Sequence, residues 1–260
     1  MTSLVVGDVE VLVTGSGSPV TVFGHGLAGS IAETRPFGSG VRGTRAFLHF
    51  RGHGATPSRD GEPWSYVDLA GQLRTVADEV GAGRALGVSM GAGALLALRA
   101  ETPDRFERVV LALPGAIDRS RGDAANARLT AMAALVEHGD VEGLAALLLA
   151  EQPEAVRARP DAAVWTRRQA ERLVGTPVGA ALRAVPSLYP LRDRAVLSAV
   201  RCPVLVVGQE GDATHPASVA CELGRLVPRV QVRVLPPGGV LWSHRLEVRA
   251  LVSGFLNAPG

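Results

Sequence analysis

Short β-branched runs at Val9–Thr14, Val20–Phe23, Arg45–Phe50, Arg84–Val88, Arg108–Leu113, Val204–Val207 and Val230–Leu235 alternate with longer helical patterns. That rhythm predicts an α/β fold with a mostly parallel central sheet and helices on both faces. Leu69, Leu73, Val76 and Val80 recur at helical spacing, and Ser65 followed by Asp68 supplies a capping start for that helix. The runs Val9–Thr14 and Val20–Phe23 lie close in sequence and read as an antiparallel hairpin. From Gly115 to about residue 200 the β-branched runs stop, and Ala/Leu-rich helical stretches broken at Gly139, Pro153, Pro160, Gly175, Pro177 and Pro186 take over. Residues 1–115 and 197–260 are therefore expected to form one core domain, split by a helical cap, or lid, over residues 116–196.

With 260 residues, of which 47% are hydrophobic and 20% charged, the chain has the composition of a packed domain and not of a disordered one. Its 27 basic residues are all arginine, which excludes chemistry built on a lysine Schiff base or a phosphate-loop lysine. The arginines are interspersed with acidic residues and lack interleaved aromatics, so no nucleic-acid surface is expected; the densest group, Arg157, Arg159, Arg167, Arg168 and Arg172, reads as a solvated helical face. Asp8 and Glu10 interrupt the first apolar stretch and no basic segment precedes it, which argues against a secretory signal. No apolar run is long enough for a membrane span, and two cysteines give no disulfide framework. A cytoplasmic location is the resulting expectation.

The segment Gly87-Val88-Ser89-Met90-Gly91 follows one apolar strand and opens the helical run Ala92–Ala100. A serine on so sharp a strand-to-helix turn is forced into a strained backbone, and the positions two residues to either side must lack side chains. Glycine at 87 and 91 meets that need. Because a serine hydroxyl is a weak nucleophile at neutral pH, it needs a general base, which in turn needs an orienting carboxylate. Asp212 follows the strand Val204–Val207, and His244 lies beyond the strand Val230–Leu235, just before the last amphipathic helix. Glu210 and Asp118 are alternative carboxylates. His215, only three residues from Asp212, reads as poorly placed to bridge acid and nucleophile, while His25 and His53 read as loop braces and His138 as the end of a lid helix.

With His25-Gly26-Leu27-Ala28-Gly29-Ser30 after one strand, Arg51-Gly52-His53-Gly54 after the next, the serine turn, and the late Asp and His, the chain resembles the α/β-hydrolase superfamily over nearly its whole length. The likeness is to the group of small esterases, cofactor-free haloperoxidases and enol-lactonases. It implies Ser89 as nucleophile, His244 as general base and then acid, and Asp212 as the carboxylate that sets the imidazole tautomer. It also implies an oxyanion hole from the backbone N–H groups of Leu27 and Met90. Two departures stand out: His49 occupies the place of the usual Asp two residues before the Arg-Gly motif, and the segment from Gly238 to His244 lacks the common Gly-His pair.

The resemblance implies a serine-dependent hydrolase that cleaves a small to medium carboxylic ester, lactone or thioester through an acyl-enzyme. Leu27, Met90, Trp242 and Trp165 are expected to line a mainly apolar pocket for a small-molecule acyl substrate, and no metal or organic cofactor is implied. The spacing Gly87-x-x-x-Gly91-x-Gly93 also suits a short-chain dehydrogenase, but that chemistry needs a Tyr and Lys pair. A serine at the turn argues against haloalkane dehalogenases and epoxide hydrolases, which carry a carboxylate there. A ligand sensor with slow turnover, acyl transfer, perhydrolysis and carbon–carbon cleavage could each use the same constellation. Oligomeric state is not legible in the sequence.

Overall fold

The structure is a computed structural model that describes residues 1–59 and 61–259. Eight strands form one sheet in the order β1-β2-β4-β3-β5-β6-β7-β8: β1 Thr2–Val6, β2 Val9–Thr14, β3 Val20–Gly24, β4 Thr44–Leu48, β5 Arg84–Val88, β6 Arg108–Ala112, β7 Val204–Gln209 and β8 Val230–Leu235. From β4 onward across the sheet all pairing is parallel, whereas β1/β2 and β2/β4 are antiparallel. The hairpin expected between β2 and β3 is thus formed one strand earlier, by β1 and β2 around Gly7. β1 carries mostly exposed side chains at the sheet edge, so its sequence shows little of the pattern that marks a buried strand.

Side-chain alternation along the inner strands feeds two cores. Val22, Ala85, Val109 and Val206 face one side, where α2 (Tyr66–Glu79) and α3 (Met90–Glu101) pack. Phe23, Leu86, Val110 and Leu205 face the other, against α10 (Arg245–Asn257) through Val248, Val252 and Leu256. Ser65 caps α2 as its spacing predicts, its Oγ accepting the Asp68 N–H at 3.0 Å. A short helix, α1 (Ile31–Thr34), follows β3, and Ser30 caps it.

Between β6 and β7 the chain is helical: α4 (Asp123–Glu137), α5 (Val141–Ala150), α6 (Glu154–Arg157), α7 (Pro160–Leu173) and α8 (Val178–Ala184). The breaks fall at Gly139, Pro153, Pro160, Gly175 and Pro177, where a left-handed glycine or a proline stops one helix or opens the next. α9 (Ala217–Leu226) connects β7 to β8. Among the described residues no helix is long and apolar enough to cross a membrane.

Leu86 is fully buried on a central strand, under α10. Leu86→Ala is expected to lower stability by about 2–5 kcal/mol, read as a drop in the urea midpoint at unchanged slope.

Candidate active site

Ser89 leaves the end of β5 with φ 50° and ψ −104°, a left-handed conformation that costs a non-glycine residue about 1–3 kcal/mol. The turn is held because α3 starts immediately at Met90 and packs against the β3 end: a Cβ on Gly91 would lie 2.5 Å from the Gly24 carbonyl oxygen, and one on Gly87 2.3 Å from the Gly91 carbonyl oxygen. Both positions therefore exclude every other residue. The N–H groups of Leu27 and Met90 donate no hydrogen bond among the described residues, so both stay open beside the turn. Gly26, preceding Leu27, is so close to the serine that a Cβ on it would be 3.3 Å from Ser89 Cβ.

The imidazole that reaches this hydroxyl is His215, not the expected His244. Ser89 Oγ donates to His215 Nε2 at 2.7 Å, and His215 Nδ1 donates to Asp212 Oδ2 at 3.0 Å. The other carboxylate oxygen accepts the backbone N–H groups of Thr214 and His215, each at 2.9 Å. Burial opposes ionisation of Asp212, but the His215 ring and these two amides outweigh it and hold the carboxyl at about 2. An anionic Asp212 fixes the tautomer with hydrogen on Nδ1, leaving Nε2 free to accept.

Short separation in sequence is what makes this bridge work. Asp212 lies past the end of β7 and Ser89 past the end of β5, with β6 between them, a gap of about 10 Å at ordinary strand spacing. The carboxylate folds the loop over itself, and that turn carries the ring at 215 back across β6 toward the serine. Arg128 of α4 braces the loop by donating to Thr214 Oγ1 at 3.1 Å. The pattern Asp-x-x-His followed by Pro216, together with the missing Gly-His pair before α10, is the sequence signal for this arrangement.

His244 is placed elsewhere because Gly238 and Gly239 turn left-handed after β8 and a five-residue π-turn, Gly239–Ser243, intervenes before α10. It stands at the start of α10 with Nδ1 3.6 Å from Glu247, and its buried Nε2 has no partner among the described residues. Of the alternative carboxylates, Glu210 is exposed and Asp118 is bonded to Arg194. Trp165 and Trp242 pack edge to face with centroids 5.8 Å apart, and Trp242 Nε1 donates to Gln152 at 3.0 Å. Two cavities, of about 420 and 460 Å³, are lined by other residues, and Met90 is fully buried. The two tryptophans tie the turn before α10 to the helical segment.

Sequence reasoning missed Arg121, which is 7% exposed and donates from Nη2 to Ser89 Oγ at 3.3 Å. It also misread Arg172. That residue is half-buried and reaches from α7 to the Ala28 carbonyl at 2.9 Å and to Glu33 at 3.3 Å, so it clamps the Leu27 loop, whereas Arg157, Arg159, Arg167 and Arg168 are exposed.

Three histidines hold the loops under the site. His25, His49 and His53 each accept one amide on Nε2, from Phe50 at 3.0 Å, Ile31 at 2.9 Å and Ala28 at 3.1 Å. Their Nδ1 atoms face the Gly26 carbonyl, Glu10 and the Arg51 carbonyl, respectively. The His25 ring lies 4.6 Å from His53 and 5.5 Å from His49, centroid to centroid. His49, in the place of the usual acid, thus receives its carboxylate from Glu10 on β2. Burial, reinforced at His25 by its neighbours, holds all three below the ordinary histidine range, with His53 lowered to about 4.

Neither family models nor curated protein sequences match this chain. Solved structures do. An esterase from Thermogutta terrifontis superposes with a TM-score of 0.77 at 19% identity, covering 98% of this chain and 97% of that one. The fold is that of the α/β-hydrolases. Two further solved structures are as similar: the enol-lactonase from Burkholderia xenovorans LB400 (TM-score 0.76, 19% identity, 99% and 100% covered) and a meta-cleavage product hydrolase from Pseudomonas fluorescens IP01 (TM-score 0.75, 19% identity, 99% and 97% covered). Within the α/β-hydrolase sheet of this chain, Ser89, Asp212 and the Leu27 loop all lie beyond the C-terminal ends of parallel strands, the edge where open α/β sheets place their sites.

The histidine cluster has a pH signature. Since the folded protein holds these rings neutral while the unfolded chain protonates them near 6.5, the unfolded state binds more protons, and stability falls as pH drops from about 6.5 toward 4. His53 alone accounts for about 3 kcal/mol by pH 4. Urea unfolding at pH 7.5 and pH 5 should show a lower midpoint at pH 5; equal midpoints would contradict neutral rings.

Proposed function

We propose that the chain is a serine hydrolase that cleaves a small to medium carboxylic ester, lactone or thioester through an acyl-enzyme. The observation that carries this reading is the continuous hydrogen-bonded line from Asp212 through His215 to Ser89, on a strained strand-to-helix turn. The esterase, enol-lactonase and meta-cleavage hydrolase among the similar structures support the reaction class.

In this mechanism Ser89 Oγ attacks the carbonyl carbon while His215 Nε2 takes the hydroxyl proton. Negative charge collects on the carbonyl oxygen, where the open N–H groups of Leu27 and Met90 would receive it. Each such donor is worth about 2.7–4 kcal/mol in the transition state. The bond to the leaving group then breaks and His215 returns the proton to the departing oxygen or sulfur. Water, deprotonated by the same nitrogen, releases the acid and restores Ser89. Asp212, ionised down to about pH 2, stays anionic throughout and stabilises the imidazolium.

The helices over residues 116–196 act as the cap in this reading, held to the core by Arg172 on the Leu27 loop and by Arg128 on the Asp212 loop. Ser89 is 7% exposed, so the cap must move for a substrate to enter. A fluorophosphonate should label Ser89 alone, and p-nitrophenyl acetate should be turned over by wild type and not by Ser89→Ala. Folded protein that resists the label and leaves short acyl esters intact would sink the hydrolase reading in favour of a sensor.

A further inference from the structure

A guanidinium buried beside a nucleophile gains from a counter-charge, and Arg121 has none among the described residues. Among the described residues no carboxylate lies within 4 Å of it, whereas the arginines at 51, 84, 128, 172 and 194 each have one; Arg99, buried in the last turn of α3, also lacks one and rests on Cys202 Sγ at 3.3 Å. Its guanidinium packs directly over the bare backbone of Gly115, where a Cβ would fall 2.5 Å from Nη2. One edge of the group meets Ser89 Oγ, and the Tyr66 hydroxyl lies beside it, with burial pushing that phenol up against the pull of the arginine's charge. Arg121 also lines the cavity of about 420 Å³ between the loop after β6 and the loop that carries Asp212 and His215. The two carboxylates in that cavity wall, Asp118 and Glu222, are both already bonded to Arg194. The uncompensated charge next to the nucleophile is therefore positive.

From this we infer that Arg121 is a specificity-determining residue that binds a carboxylate on the acyl part of the substrate. The inference rests on Ser89 being the nucleophile, and it narrows the substrate to half-esters or half-thioesters of short dicarboxylic acids, or lactones bearing an equivalent acid group. Ser89 Oγ is 3.3 Å from Nη2, so a carbonyl carbon on one and a carboxylate oxygen on the other are about 5–6 Å apart. A succinyl or glutaryl chain spans that distance. The planar fork of arginine suits two-point binding of such a carboxylate, which a neutral acyl chain cannot use. An acyl group without the charge would instead leave the guanidinium buried and unpaired.

The test compares mono-p-nitrophenyl succinate with p-nitrophenyl butyrate, which is close in size and neutral. Wild type should favour the succinate ester in kcat/KM by about 10- to 100-fold. In Arg121→Met that preference should vanish whatever the common loss of rate, and Arg121→Lys, which keeps the charge without the fork, should fall between. A wild-type ratio near one, or a ratio unchanged in both variants, overturns the inference. Free succinate gives a readout independent of turnover: it should raise the melting temperature of wild type and of Ser89→Ala but not of Arg121→Met. If Ser89 resists the phosphonate and neither ester is cleaved, the hydrolase reading fails alone when the succinate shift persists; absence of the shift overturns the anion site itself.

Discussion

Two strand widths separate the ends of β5 and β7, and a single imidazole closes that gap. Every other feature of the site serves to hold its two ends. At one end, the packing of α3 against β3 forces Ser89 into a left-handed turn and allows no side chain at 87 or 91. At the other, Asp212 gathers two backbone amides and the His215 ring onto one carboxylate. Since both contacts of the ring are about 3 Å or shorter, a shift of either loop by an ångström would break the line, which explains why the helical segment contributes Arg128 to brace it.

The loop after β3 is held by a different device. Three neutral imidazoles act as hydrogen-bond adaptors, each accepting an amide that no strand or helix satisfies. They lock the segment from His25 to Ile31 onto the loop after β4, and Arg172 clamps the same segment from α7. The open N–H of Leu27 is thereby fixed from both sides. Rigidity of this kind would suit the proposed role of that N–H as an oxyanion donor, which requires charge to be received without rearrangement. Its dependence on unprotonated rings ties the geometry of the site to pH.

Much of this was legible in the sequence. The parallel strands, the serine turn with its glycines, the helical stretch and its breakpoints follow from periodicity and from residues whose backbone preferences are strong. β1 escaped because an exposed edge strand lacks buried alternation. His215 was passed over because closeness in sequence to Asp212 suggested poor reach, whereas a carboxylate that accepts its own loop's amides makes a three-residue spacing sufficient. His244 had the expected position before the last helix, but the turn at Gly238 and Gly239 points its ring at Gly238 and Glu247 instead. Arg121 and Arg172 carried no signal at all, since a charged side chain in a loop or on a helix reads as solvated until its burial is known. Trp165 and Trp242 read as pocket walls only by adjacency; in the fold they pack edge to face and Trp242 Nε1 donates to Gln152.

The identity of the base is the point on which the chemistry turns, and kcat/KM for a p-nitrophenyl ester in His215→Ala and His244→Ala measures it directly. With the proton passing to Nε2 of residue 215, the first variant should lose activity on the order of 10³-fold or more while the second stays near wild type. A large loss in His244→Ala with activity kept in His215→Ala would contradict the assignment.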